Sequence, residues 1–164
     1  YPYGVYIPSN FTIPAGNVFK FKLYSGGYFW FKCNRTSGNW DIDQVRNVYF
    51  NHEEDLFHYP YLAVALLDFR GISAIPKYDD STMIVTVIGT APSLNPRENR
   101  DSEIIFVNST AGNGAFSDVT YLIFTDVKGG LAPPSKECGT IYPDGYIYSE
   151  TFTATLLYYH AKPE

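Results

Sequence analysis

Charge is scarce in this chain. Charged residues occupy 18% of its 164 positions, below the roughly one quarter of an ordinary soluble protein. The 12 lysines and arginines are scattered singly and the net charge is −5. Phosphate binding needs a basic stripe, so nucleic acid is not expected as a partner. Long apolar runs are missing too. A helix needs roughly 18–20 apolar residues to cross a bilayer. The longest run here, YLAVALLDF around Leu62–Leu67, is strand-sized or at most a short helix, so no membrane span is expected. Cysteine is almost absent. Cys33 and Cys138 stand alone, far apart and without CxxC spacing, which excludes a zinc site.

Catalytic signatures are also lacking. No GxSxG elbow occurs. The sequence HEEDLFH (His52–His58) places its two histidines six apart, on different faces of any helix, and is not HExxH. GNG and KGG are turn glycines with no helix following to make a phosphate site. WDID (Trp40–Asp43) and YDD (Tyr78–Asp80) offer carboxylates, but neither has the spacing of an EF-hand loop. Glu103, Glu137, Glu150 and Asp68 could meet in space as glycosidase acids, yet nothing nominates a pair. The expectation is a protein without enzymatic activity, metal or cofactor.

What is present is apolar and aromatic. Hydrophobic residues reach 45%, with 15 tyrosines, enough for one packed domain and too many for a disordered tail. A surface short of ions and rich in Tyr, Thr, Ser and Asn relies on neutral hydrogen bonds, which suits an extracellular protein covered by glycans or by copies of itself. The chain starts at Tyr1, read as a leader already removed or as trimming of the chain. In an oxidising compartment Cys33 and Cys138 would form one disulfide closing a very long loop, at about 4–5 kcal/mol in the chain-entropy model. The alternative is two buried thiols. Asn10-Phe-Thr, Asn34-Arg-Thr and Asn108-Ser-Thr are glycosylation sequons near expected strand ends. Covalently attached N-glycans are therefore expected at Asn10, Asn34 and Asn108.

Strand signals recur along the chain. VFKFKLYS (Val18–Ser25) alternates Phe19, Phe21 and Leu23 with Lys20, Lys22 and Tyr24. The following SGG predicts a hairpin onto YFWFKCNR (Tyr28–Arg35). DQVRNVYF (Asp43–Phe50), LAVALLDF (buried on both faces), MIVTVIGT (Met83–Thr90), EIIFVNST, VTYLIFTDV and YIYSETFTATLLYY complete the set. Short helices are expected at Glu53–Phe57 and at Tyr61–Leu67. Eight to ten strands separated by Gly, Pro, Asn and Asp imply an all-β fold: a single β-sandwich, jelly-roll or immunoglobulin-like, or a closed barrel. The irregular stretch Lys128–Gly145 would be pinned to the sheet by Cys138. Tyr28, Phe29, Trp30 and Phe31 are consecutive, so two must face outward. Exposed aromatics would suit sugar stacking or packing on another subunit.

The opening YPYGVYIP alternates Tyr1, Tyr3, Val5 and Ile7 on one face, with a proline near each end. An alternating terminal segment before a self-contained β-domain resembles the donor-strand subunits of extracellular pili and biofilm fibres. That resemblance implies residues 1–8 as a strand leaving a domain of residues 9–164. It implies Tyr1, Tyr3, Val5 and Ile7 as the contact to a neighbouring copy, and an extracellular filament or coat subunit as the function. FTATLLYY is similar to the last strand of CUB-type domains, whose cysteine spacing is absent here. The alternative function is a secreted, lectin-like carbohydrate-binding module.

Overall fold

Eight strands follow one another along the chain: β1 (Asn17–Asn34), β2 (Asn39–Phe50), β3 (Ala63–Asp68), β4 (Gly71–Ala74), β5 (Thr82–Ala91), β6 (Ser102–Ala111), β7 (Val119–Gly129) and β8 (Ile147–Ala161). The computed structural model describes residues 2–56, 62–68, 71–75 and 79–163. Expectations that fall on Tyr1, Phe57, His58, Tyr61 and Tyr78 lie outside them. Each strand pairs antiparallel with the next, and β8 pairs with β1. The single sheet thus curls round on itself, but not as a regular barrel: β4 and β5 share only the pairs Ile72↔Met83 and Ser73↔Thr82. Among the described strands no Greek-key crossover occurs.

The expected hairpin at SGG is corrected. Ser25, Gly26 and Gly27 continue β1, which runs unbroken for 18 residues and pairs with β8 and β2 at all three. The glycines serve close approach rather than a turn. A Cβ on Gly27 would lie 1.8 Å from the Arg46 carbonyl oxygen of β2, a spacing only glycine permits. The true β1–β2 turn is the Thr-Ser-Gly stretch beyond Asn34, whose side-chain Oδ1 accepts the amides of Thr36 and Ser37. β3 is a strand where a short helix was the alternative. Ala65 is buried in the inner core and Ala63 in an outer cluster with Val48 and Phe50, so both faces are covered at that end, while Val64, Leu66 and Leu67 are half-buried. The short β4, GISA, carries too few residues to announce itself. The expected helix at Glu53 survives as one 3-10 turn, Glu53–Asp55.

Inside the ring lies the main core, including Leu23, Phe29, Phe31, Tyr49, Phe116, Phe124, Phe152 and Tyr158. Of the four consecutive aromatics, Phe29 and Phe31 point in, while Tyr28 is exposed with its ring 5.7 Å from that of Trp30. One end of the ring is closed. Segment 130–146 folds across it, tied by the Cys33–Cys138 disulfide and by reciprocal backbone bonds of Cys33 with Gly145 and Tyr146. Trp40, Tyr142 and Tyr148 pack there ring against ring, and the Arg100 guanidinium lies 4.3 Å from the Phe29 ring. At the other end meet the β2–β3, β4–β5 and β6–β7 connections.

Gly27→Ala tests the close approach of β1 to β2. We expect a loss of about 3 kcal/mol in urea unfolding, because the new methyl must displace backbone rather than a flexible side chain. An unchanged midpoint would show that the strands can part without cost.

Candidate binding site

At the open end a cavity of about 280 Å³ enters the ring. Its walls are apolar, with Phe21 and Leu23 from β1, Val64 from β3 and Phe116 from the β6–β7 connection, and Asn51 and Asp79 stand at its rim. A bulge in the β1–β8 pairing between Phe19 and Phe21 aims Phe21 into this space. Asp79 fastens the rim. Its carboxylate accepts the Ser81 amide (2.9 Å), the Ser81 hydroxyl (2.7 Å) and the Ala115 amide (3.2 Å), so it ties the β4–β5 connection to the β6–β7 connection. Gly114 passes so close that a Cβ would meet the Asp79 carboxyl carbon at 2.3 Å. Partial burial alone would raise the Asp79 pKa, but the bonds from Ser81 and Ala115, with Lys20 nearby, outweigh it and hold the pKa below the usual carboxylate value.

Beneath the cavity the core turns polar. Phe21 and Phe116 stack on Tyr158, with centroids at 4.6 and 5.6 Å. The buried Tyr158 hydroxyl has no hydrogen-bond partner among the described residues, and neither do Ser25 Oγ and Asn47 Oδ1. Two of these groups adjoin Tyr49, and the third, on Tyr158, belongs to a residue four positions along β8 from the partner of Ser25. Ser25 pairs with it across β1 and β2, Asn47 Nδ2 donates to its hydroxyl at 3.3 Å, and its charge would act on Tyr158. Burial raises the pKa of both tyrosines, Glu103 adding to the effect on Tyr49 and Tyr49 to that on Tyr158. Both therefore remain neutral phenols. Glu103, in register with inward-facing Ile105 and Val107 on β6, has its own pKa raised by burial, against the pull of Arg100 and with a push from Asp101. An orphaned buried polar atom costs about 1–3 kcal/mol, so each of the three calls for a polar partner, an ordered water or a ligand group.

A second, larger cavity of about 440 Å³ lies outside the ring, over β7, β8 and β1. Lys22 and Tyr24, Thr153 and Thr155, and the β7 bulge at Asp126 line it. The amino-terminal segment and Glu53 bound it. Asp126 holds a left-handed backbone, φ 49°, where β7 slips against β8 between Thr125 and Lys128.

The amino-terminal segment is not the expected strand. Pro2–Gly4 form a 3-10 turn, with Tyr3 at φ 57°. Val5, 4% exposed, and Phe11 enter a second core with Ile104, Ile123, Leu157 and Tyr159, and Ile7 packs beside them. The prolines and the turn bend the segment into a strap across the outer face of the sheet, fixed by Thr125 Oγ1 donating to the Tyr6 carbonyl. Tyr3 stacks on Phe19 at 4.2 Å. Tyr159 lies against the same strap, and burial, then Tyr3, pushes its pKa up to about 12. Of the residues expected to contact a neighbouring copy, Tyr3, Val5 and Ile7 are thus engaged with their own domain, and Tyr1 lies outside the description.

The other candidate residues are dispersed. Cys33 and Cys138 are bonded to each other, with Cα atoms 5.4 Å apart. Asn10 and Asn108 are exposed, whereas Asn34 is partly buried and donates to Asp41. Glu137 and Glu150 both act on Tyr148, whose hydroxyl donates to Glu150 at 3.2 Å. Glu103 faces into the ring. Asp79 and Asp80 serve as acceptors for local amides, and no group of three metal-ligating side chains gathers among the described residues. Sequence reasoning missed Ser25, Asn47, Tyr49 and Tyr158. A polar side chain at an inward strand register was the available signal, but taking SGG for a turn concealed it.

Val5→Ala is expected to cost about 1–2 kcal/mol by loss of buried methyl groups, while sedimentation of the protein stays unchanged. A variant that keeps its stability but loses an oligomer would instead restore the strand-exchange reading. The rim has a pH signature of definite sign. Because the Asp79 pKa is lowered in the fold, its stabilisation is complete above the unfolded value of about 3.9 and disappears as pH falls through the lower folded value. Amide exchange at Ser81 and Ala115 should accelerate over that window, and Asp79→Asn should abolish the pH dependence.

No family model, no curated protein and no solved structure matches this chain.

Proposed function

We propose that this is an exported, glycosylated binding protein that holds one small molecule at the open end of its sheet, the ring being read as a flattened barrel. Eight antiparallel strands enclose just enough room for side chains or for one small ligand, and ligand sites favour apolar concavities with a few placed polar groups. The observation that carries the reading is the set of three orphaned polar atoms, Ser25 Oγ, Asn47 Oδ1 and Tyr158 OH, behind the aromatic wall of the open-end cavity. They match a ligand with an apolar, preferably aromatic, body and a hydroxyl or amine head. Entry requires Phe21 and Phe116 to rotate away from Tyr158. The protein acts by binding alone.

A lectin-like reading has one observation in its favour, the outer cavity with Tyr24, Thr153 and Asp126 in its lining. The filament reading loses its main support once Val5 and Ile7 are packed into their own domain.

Titration of the intact, disulfide-bonded chain with small phenols and indoles, followed by amide NMR, separates the two binding readings. We expect shifts at Phe21, Ser25, Asn47 and Phe116. Tyr158→Phe should weaken binding about tenfold, one hydrogen bond of roughly 1.4 kcal/mol, with no loss of stability, since the hydroxyl has no partner to lose. Shifts confined to Tyr24, Thr153 and Asp126 on addition of simple sugars would favour the lectin reading. No shift at Phe21 or Phe116 with any phenol or indole would refute the proposal.

A further inference from the structure

Period-two alternation assigns the outer face of β6. Ile105 and Val107 enter the inner core, so Ile104 and Phe106 face out, and Asn108, the extra residue of a bulge between the pairs Val85↔Val107 and Ile84↔Ser109, is turned to the same side by its bond to Thr86, the partner of Phe106. The strap covers Ile104 and stops there. Beyond it, Phe106 is 37% exposed, and on neighbouring β5 Ile84, between inward-packed Met83 and Val85, is 52% exposed. Large apolar side chains gathered on one open sheet face call for a covering. Asn108 sits among them. It is exposed, opens the Asn-Ser-Thr sequon, and donates from Nδ2 to Thr86 Oγ1 of β5, the residue paired with Phe106. The Phe106 ring is held in place from its other side by Tyr121 of β7, centroids 5.4 Å apart.

We propose that an N-linked glycan on Asn108 covers this face, its innermost N-acetylglucosamine lying on the Phe106 ring. The proposal rests on the chain being exported through a glycosylating pathway. In that pathway the Asn108 Nδ2 forms the bond to the anomeric carbon of an oligosaccharide carried on a lipid pyrophosphate. The pyrophosphate leaves with the electron pair of its C1–O bond, and Nδ2 loses one proton. One N–H remains, so the donation to Thr86 is kept. A pyranose presents C–H groups on its flat face, and these suit an aromatic ring two residues back on the same strand face. The three sequons are therefore unequal. Asn34 is partly buried, its amide nitrogen donating to Asp41 and its Oδ1 accepting two amides of the β1–β2 turn, so it offers a sugar less open space. Asn10 lies in an exposed turn beside buried Phe11 and has no open apolar face of this kind to shield.

The test is secretion of the full chain, behind a leader, from a eukaryotic host, with glycopeptide mapping of all three sites. Asn108 should be occupied. Trimming its glycan to the single innermost sugar should leave the protein monodisperse. Asn108→Gln and Thr110→Ala, which both delete the sequon, should lower Tm by about 2–4 °C, increase binding of an anilinonaphthalene dye, and promote self-association. Adding Ile84→Thr and Phe106→Thr to Asn108→Gln should restore monodispersity. A secreted chain with the Cys33–Cys138 bond formed but Asn108 bare would overturn the inference. So would an Asn108→Gln variant indistinguishable from the glycosylated protein in Tm, dye binding and dispersity. Neither result touches the ligand-binding reading, which concerns the opposite side of the sheet.

Discussion

The structure depends on one strand that is paired on both edges from Tyr24 to Lys32. β1 bonds to β8 from Asn17 to Lys32 and to β2 from Tyr24 to Asn34, and this joins the first and last elements of the chain. Without it the remaining pairings would make an open sheet with two free edges, a form prone to edge-to-edge aggregation. With it the sheet has an inside and an outside, and each strand residue is assigned to one or the other. The price of that closure is steric, and it falls on Gly27, where the backbones of β1 and β2 come too close for any side chain.

Inside and outside are then used differently. The inner face is mostly aromatic and aliphatic, yet it holds orphaned polar atoms from β1, β2 and β8, among them the Tyr158 hydroxyl, and the raised-pKa phenols of Tyr49 and Tyr158. The outer face is apolar in patches, and two of them are covered by the chain. The strap lies over Ile104, Ile123 and Leu157. The η turn at Glu53–Asp55 brings Leu56 onto Val48, Phe50 and Ala63. The β5–β6 patch around Phe106 and Ile84 is exposed, and the Asn108 sequon lies beside it.

Much of this was legible from local pattern. The all-β class, the positions of β2, β5, β6, β7 and β8, the outward pair within Tyr28–Phe31 and the disulfide follow from alternation, turn residues and cysteine count. The misses share a cause. Ser-Gly-Gly and the prolines of YPYGVYIP were taken for what they do in isolated chains: a tight turn, and the ends of a strand. In the folded chain Gly27 answers to the Arg46 carbonyl across the sheet, and Val5 answers to a core assembled from β1, β5, β6, β7 and β8. Such long-range constraints leave no periodicity in the sequence. The polar core was hidden by the same step, because Ser25 could be assigned to the inner face only after β1 was known to continue through it.

The two ends of the ring complete the functional argument. At the closed end, segment 130–146 is held by a disulfide, by backbone bonds to Cys33 and by ring contacts among Trp40, Tyr142 and Tyr148, interactions that require large cooperative motion to break. At the open end the β4–β5 and β6–β7 connections are tied by hydrogen bonds alone, from the Ala115 amide to Asp79, the Asn113 amide to Asp80 and the Phe116 amide to the Ser81 hydroxyl. Such ties can open locally at a small fraction of the global unfolding free energy. In the proposed binding, a ring that is stiff at one end and lightly fastened at the other would admit its ligand by one route. The orphaned polar atoms lie behind Phe21 and Phe116, the aromatic pair on that route. The asymmetry of the fastenings and the placement of the unpaired groups thus indicate the same entrance.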